Sequence, residues 1–149
     1  MKAKTNNGGC ILKTPYGPLS VNEKGEVYQN GKQLTQGDEL YDSDTDLSVC
    51  IEPFVYVHDK RSIHQKRVAM DDLVEAANYV QGTKADKTDP AILHKDHDRN
   101  NYESSNLEWV EKGSPEYASY RKDEIAQIKK RNAELNPNKS FPNFMQPKP

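Results

Sequence analysis

At 149 residues the chain is long enough for one domain with a modest core and too short for several. Hydrophobic residues make up 34% and charged residues 30%, with a mean hydropathy of −1.01; that is polar for a globular chain and predicts unstructured ends. A net charge of −2 gives no global drive toward nucleic acid, so any such contact must use a local basic face. Cys10 and Cys50 lie far apart and outside C-x-x-C spacing, which excludes a cysteine zinc tetrad and argues against a disulfide framework. No apolar run approaches the ~20 residues of a membrane span, and the start MKAKTNNGG lacks the apolar core of a secretion signal. The expectation is a cytoplasmic protein with no membrane partner.

In chain order, residues 1–10 are polar and read as a flexible arm. Residues 11–58 form a β module. Leu19-Ser20-Val21 alternates, residues 22–25 turn, residues 26–29 return, and Asn30-Gly31 is a strong hairpin dipeptide. Asp38, Glu39, Asp42, Asp44 and Asp46 read as a solvated acidic loop without calcium-ligand spacing. Residues 48–52 and 54–58 are β-rich and broken by Pro53, which predicts an edge strand. Lys60, Arg61, Lys66 and Arg67, with His64 among them, are the best local candidates for phosphate contact, although a solvated hairpin tip accounts for them equally. Met70, Leu73, Val74, Ala77 and Val80 recur at helical steps and predict a helix over 68–80, with Asp71 and Asp72 near its positive end.

The stretch that carries chemistry is residues 93–110, L-H-K-D-H-D-R-N-N-Y-E-S-S-N-L-E-W-V, which holds two of the four histidines and the only tryptophan. It reads as strand, polar loop and second strand, with His94 at the end of the first. After it, Ser114 as N-cap, Pro115 and Glu116 open a helix to Leu135, followed by a proline-rich tail over 136–149. The helix shows a thin apolar stripe, and its Arg121, Lys122, Lys129, Lys130 and Arg131 read as a solvated face. A histidine followed by an asparagine at a strand–loop–strand junction pairs a base with a group that orients it, as metal-dependent phosphodiester hydrolysis requires.

These residues resemble the HNH endonuclease family, in its phage and intron homing-type branch, where a segment like V-N-H-I-D-G-N-K-x-N-N-x-x-x-N-L-E-W-V is found. His94, Asp96, Asn106, Leu107, Glu108, Trp109 and Val110 match without a gap, and Asn100 or Asn101 falls on the loop's asparagine pair. Residues 67–77 are similar to the helix that precedes the motif in that family, and residues 19–27 to its N-terminal hairpin, so about residues 16–116 are covered. The resemblance implies an α+β fold: an N-terminal β-hairpin or meander module, a ββα-metal core over 91–135 and a C-terminal helix, in a single domain spanning 11–135.

It also implies nicking of double-stranded DNA, with His94 as general base and Asn106 fixing the loop. Asp96 and Trp109 would be structural, and the divalent ion would be Mg2+ or a similar hard cation. Lys95 and Arg99 would join Lys60, Arg61, Lys66 and Arg67 on the DNA. The departures are at the ion: Leu93 and Pro115 stand at the family's two ligand positions, and Asp71-Asp72 replaces a His-Arg pair. Either Asp96, His97, Asp98 or Glu116 holds the ion instead, or the scaffold survives as an inactive module that binds nucleic acid. A protein partner, from host or phage, held through the acidic loop or the Phe141, Phe144 and Met145 tail, is the third expectation.

Overall fold

The computed structural model describes residues 9–42 and 49–135. Residues 1–8 of the arm, part of the acidic run (Asp44 and Asp46) and the tail lie outside the described residues, and Cys10, read as the end of the arm, opens a strand. Among the described residues three antiparallel sheets and two α-helices make up the α+β fold.

The first sheet is a meander, β1 (Cys10–Thr14), β2 (Gly17–Val21), β3 (Val27–Gln29) and β4 (Lys32–Gln33), each strand beside the next. Asn30 and Gly31 take φ of 53° and 78° between Gln29 and Lys32, which are paired. Two successive left-handed residues match the right-handed strand twist, which is why Asn-Gly turns this hairpin. Alternation puts Leu19, Val21 and Val27 inside, all nearly fully buried.

The second sheet comprises β5 (Gln36–Asp42), β6 (Val49–Val57) and β7 (Lys66–Ala69), with β6 in the centre. Two expectations change here. Pro53 does not break the strand, and β6 pairs with β5 from Val49 to Val55 but with β7 only from Phe54 to Val57. The Ile51 N–H points away from β5 and donates to Glu124 at 2.7 Å. By alternation the nitrogen of Pro53 faces the same open side, where no ladder donor is missed. Asp38 and Glu39, read as solvated loop, belong to β5; Asp38 accepts both Arg131 Nη1 at 3.1 Å and the Asn100 amide at 2.8 Å.

Helix α1 is shorter than expected, Met70–Ala76, because Lys66–Ala69 pairs with β6 as β7. Asn78, at φ 63°, stops the helix, while Ala77 and Val80 stay buried in the turn that follows. The third sheet is the hairpin of β8 (Pro90–His94) and β9 (Leu107–Glu111). Gln81 bonds to β9 on its free side, giving its N–H to Leu107 O at 3.0 Å and taking that of Trp109 at 2.9 Å. The chain then enters α2 (Pro115–Leu135), with the Tyr117 N–H on the Ser114 hydroxyl at 3.3 Å, as the cap predicts.

A shared core joins the meander, β6, α1 and β9: Leu19, Val21, Val57, Met70, Val74 and Leu107 are at its centre. No helix among the described residues is long and apolar enough to cross a membrane.

Candidate functional site

His94 is the last residue of β8, and Leu107, which opens β9, lies directly opposite. The twelve residues between them fold into a loop tied from inside. Asn106 Oδ1 accepts the Asp96 N–H at 2.9 Å, and Asn106 Nδ2 donates to Asp96 Oδ1 and Asn101 O, both at 3.0 Å. Asp96 also accepts the Asp98 N–H at 2.9 Å and the Asn101 amide at 2.7 Å. Because an amide offers donors and an acceptor together, one asparagine closes both ends of the loop. The meander supports the loop from outside: Ser104 donates its N–H to Glu23 O at 2.7 Å. Gly25, at φ 82°, passes so close that a Cβ there would lie 2.6 Å from Tyr102 O.

The His94 ring is fully buried. Its Nδ1 lies 3.0 Å from Asn101 O, and a carbonyl only accepts, so Nδ1 carries the proton. Its Nε2 lies 3.1 Å from Arg99 Nη1, and a guanidinium only donates, so Nε2 is the bare acceptor. The geometry therefore fixes one neutral tautomer. Burial first, and the Arg99 cation second, push the His94 pKa down from 6.5 to about 4.

Arg99 is itself held. It makes a two-pronged pair with Asp71 on α1, at 3.0 and 2.9 Å, and donates to the Tyr102 hydroxyl. Tyr102 donates in turn to Asp71. Burial opposes ionisation of Asp71, but the Arg99 charge and the Arg99 and Tyr102 hydrogen bonds outweigh it and hold the carboxyl below the usual range. Burial raises the Tyr102 phenol, and raises Tyr120 as well. Both rings pack on His94, Tyr102 edge-on at 4.8 Å and Tyr120 stacked at 5.9 Å. The Tyr120 hydroxyl is buried with no hydrogen-bond partner among the described residues.

A cleft of about 400 Å³ opens beside this network, between α1, the β8–β9 hairpin and α2. Arg99 and Tyr120 line it, as do Asp71, Asp72, Glu75 and Glu124; the His94 imidazole does not reach it.

Of the residues considered for the ion, Asp96 is spent inside the loop, and Asp98 is exposed and accepts the Asn100 N–H at 3.0 Å. Glu116 is exposed on the first turn of α2. His97, at φ 63°, points Nδ1 at Asp123 Oδ2 on α2, 2.6 Å away. Among the described residues no three His, Cys, Asp or Glu side chains are grouped as ligands for a metal ion. Leu93 is buried apolar surface, and Pro115 has no donor atom in its side chain. The described residues do not fit a divalent ion beside His94.

The basic residues are scattered rather than gathered. Arg99 is in the interior network. Lys95 donates to Gln81 Oε1 at 2.9 Å. Arg67 pairs with Glu39 at 2.5 Å and lies over the Phe54 ring at 4.5 Å. Arg61 bonds Asp59 at 3.1 Å. Lys60 and Lys66 are exposed, with no ion pair or side-chain hydrogen bond among the described residues.

Asp71, Tyr102, Tyr120 and Glu124 are the members of the site that the sequence reading missed. Tyr117, Tyr120, Glu124 and Ile128 recur at three- and four-residue steps, so an apolar stripe widened to admit Tyr and Glu picks out Tyr120 and Glu124. Glu124 is 2% exposed, and besides the Ile51 N–H it accepts a bond from Arg121. Nothing local signals the Asp71–Arg99 pair, which spans 28 residues.

No protein-family model and no curated protein sequence matches this chain. Among solved structures it is similar to one described as "DNA binding and cleavage by the HNH homing endonuclease I-HmuI", at 19% sequence identity and a TM-score of 0.43. The match covers 79% of this chain and 61% of that one, so the chain spans under two thirds of that protein's length.

Proposed function

We propose that this chain is an HNH-type scaffold that binds duplex DNA without cutting it. The observation that carries this reading is Arg99 Nη1 lying 3.1 Å from His94 Nε2. A general base must reach the proton that it removes. Here the basic nitrogen of His94 is taken by a guanidinium that Asp71 and Tyr102 hold in place, and the ring is sealed from solvent.

The lack of grouped carboxylate or imidazole ligands among the described residues supports the same reading, since hydrolysis of a phosphodiester by this route needs a cation to neutralise the developing charge. Binding is supported by Lys60 and Lys66, whose exposed ammonium groups make no ion pair or side-chain hydrogen bond among the described residues, Lys66 acting on Asp59 only through its charge. In this reading the His94–Asn106 loop serves the fold, joining the β8–β9 hairpin to the meander and α1.

A second reading, an active endonuclease of double-stranded DNA with His94 as base and Asn106 as orienting residue, is favoured by the tautomer. Nδ1–H on the Asn101 carbonyl leaves Nε2 unprotonated, as a base requires, so withdrawal of Arg99 would free it. A nicking assay on supercoiled plasmid with Mg2+ or Mn2+ decides between the two. The expected outcome is duplex binding at low salt with no cleavage, by the wild type and by His94→Ala alike. Cleavage by the wild type that His94→Ala abolishes overturns the binding-only reading.

A further inference from the structure

We propose that the β6–β7 loop, residues 58–65, is a wedge for duplex DNA, in which Lys60 and the adjoining Lys66 lie on phosphates and Ile63 enters between base pairs. It rests on the DNA-binding reading above and adds which surface meets the duplex and how that surface deforms it. Ile63 is 96% exposed, against 38% for Ile11 and Ile125, the other large apolar residues on the described surface. A single exposed apolar residue is ordinary. This one differs in standing fully in water on a stretch that runs Lys60-Arg61-Ser62-Ile63-His64-Gln65-Lys66, with cations on both sides and no acid between them.

The loop is held in shape rather than slack. Ser62 donates its N–H to Asp59 O and His64 donates its own to the Ser62 hydroxyl, each at 3.0 Å. Asp59, the one acid of the loop, is turned inward at 6% exposure and bonds Arg61 through both its backbone N–H and its Nε, each at 3.1 Å. Buried Gln29 fastens the loop's first residue to the meander, accepting the His58 N–H at 2.8 Å and donating to His58 O at 2.9 Å. Ile63 is thus presented by a preorganised segment, which lowers the ordering cost of binding.

Beside the loop lies a groove of about 640 Å³ whose walls include Asn30, Lys32, Gln33, His58 and Gln65. No carboxylate lines it, in a chain with 23 acids. Amide side chains there offer both donors and acceptors to phosphate, sugar and base edges. The cleft near His94 differs, with four carboxylates facing three cations, Lys84, Arg99 and Lys112, in its walls. A polyanion is therefore better accommodated at the loop than at the cleft. Apolar side chains that enter a base step partly unstack it and kink the duplex, while cations on either side hold the backbone.

The test uses the full chain and a short duplex labelled at both ends, with anisotropy for binding and end-to-end energy transfer for bending. The wild type is expected to bind at low salt and shorten the end-to-end distance. Ile63→Ser is expected to bind about tenfold more weakly, with the same salt slope and no bend, and Ile63→Phe to restore both. Replacing Lys60 and Lys66 by Gln together should reduce the salt slope by about 2, near 0.9 for each phosphate that is no longer neutralised.

Equal affinity and equal bending for wild type and Ile63→Ser overturn the wedge while leaving DNA binding in place. No binding of any duplex by the wild type at low salt overturns the DNA reading itself. Ile63-dependent binding to phosphatidylserine vesicles, with no duplex binding, overturns the wedge in favour of a membrane surface.

Discussion

Two regions of this molecule draw on the same residue types and do opposite things with them. Around His94, an arginine, an aspartate and a histidine are packed among Tyr102 and Tyr120 until nearly every polar atom has a protein partner. In the 58–65 loop, Lys60, His64 and Ile63 stand in water, and the one ion pair turns its acid inward. A motif names chemical groups, but whether those groups are available is decided by which donors and acceptors are already spent. The interior network has spent its own on the fold. Lys60 in the loop and Lys66 beside it make no ion pair among the described residues.

The sharpest way to break this contrast is through pH. His94 has a folded pKa near 4 against 6.5 in an open chain, so between those values the unfolded chain binds the proton and the folded one does not. Stability from this group is complete above pH 6.5 and is lost as the pH falls toward 4, by about 3 kcal/mol in all. Urea unfolding at a series of pH values should show that loss, and His94→Gln should remove it. Asp71 and Asp96, whose folded pKa values are lowered, add their own loss only below about 3.8, so the two windows separate. A flat profile from 6.5 to 4 would mean that His94 is not sealed.

Asp71→Asn should come next, costing about 2 kcal/mol in denaturant unfolding, because Arg99 is left interior without its counter-charge. The cost is below that of a fully enclosed pair because the Asp71 side chain keeps 39% of its exposure. Gly25→Ala should cost roughly 1–2 kcal/mol in thermal unfolding, since it combines a left-handed backbone with a Cβ driven onto Tyr102. The smallest effect belongs to the loop. Lys60→Gln with Lys66→Gln should change unfolding by less than about 0.5 kcal/mol while weakening DNA binding. A large loss of stability there would place the loop with the fold and not with a partner.

The sequence by itself determined the elements whose causes are local. Asn30-Gly31 turns because those residue types tolerate positive φ, the meander alternates because strands have period two, and Ser114-Pro115 opens a helix that runs to Leu135. The hairpin carrying His94 and Asn106 was legible too, because the loop's asparagine and aspartates bond within twelve residues of one another. Other features depended on parts of the chain that only folding brings together. Pro53 sits inside a strand because β7 pairs with β6 only from Phe54 onward, so no ladder bond is missed on the edge that its nitrogen faces. Residues 66–69 joined a sheet because β6 was there to pair with, which shortened α1. Above all, Arg99 reaches Asp71 across 28 residues, and the arginine held there lies against the buried Nε2 of His94. Local propensity acts over a few bonds and leaves a pattern in the chain, whereas a charge finds its partner through space and leaves none.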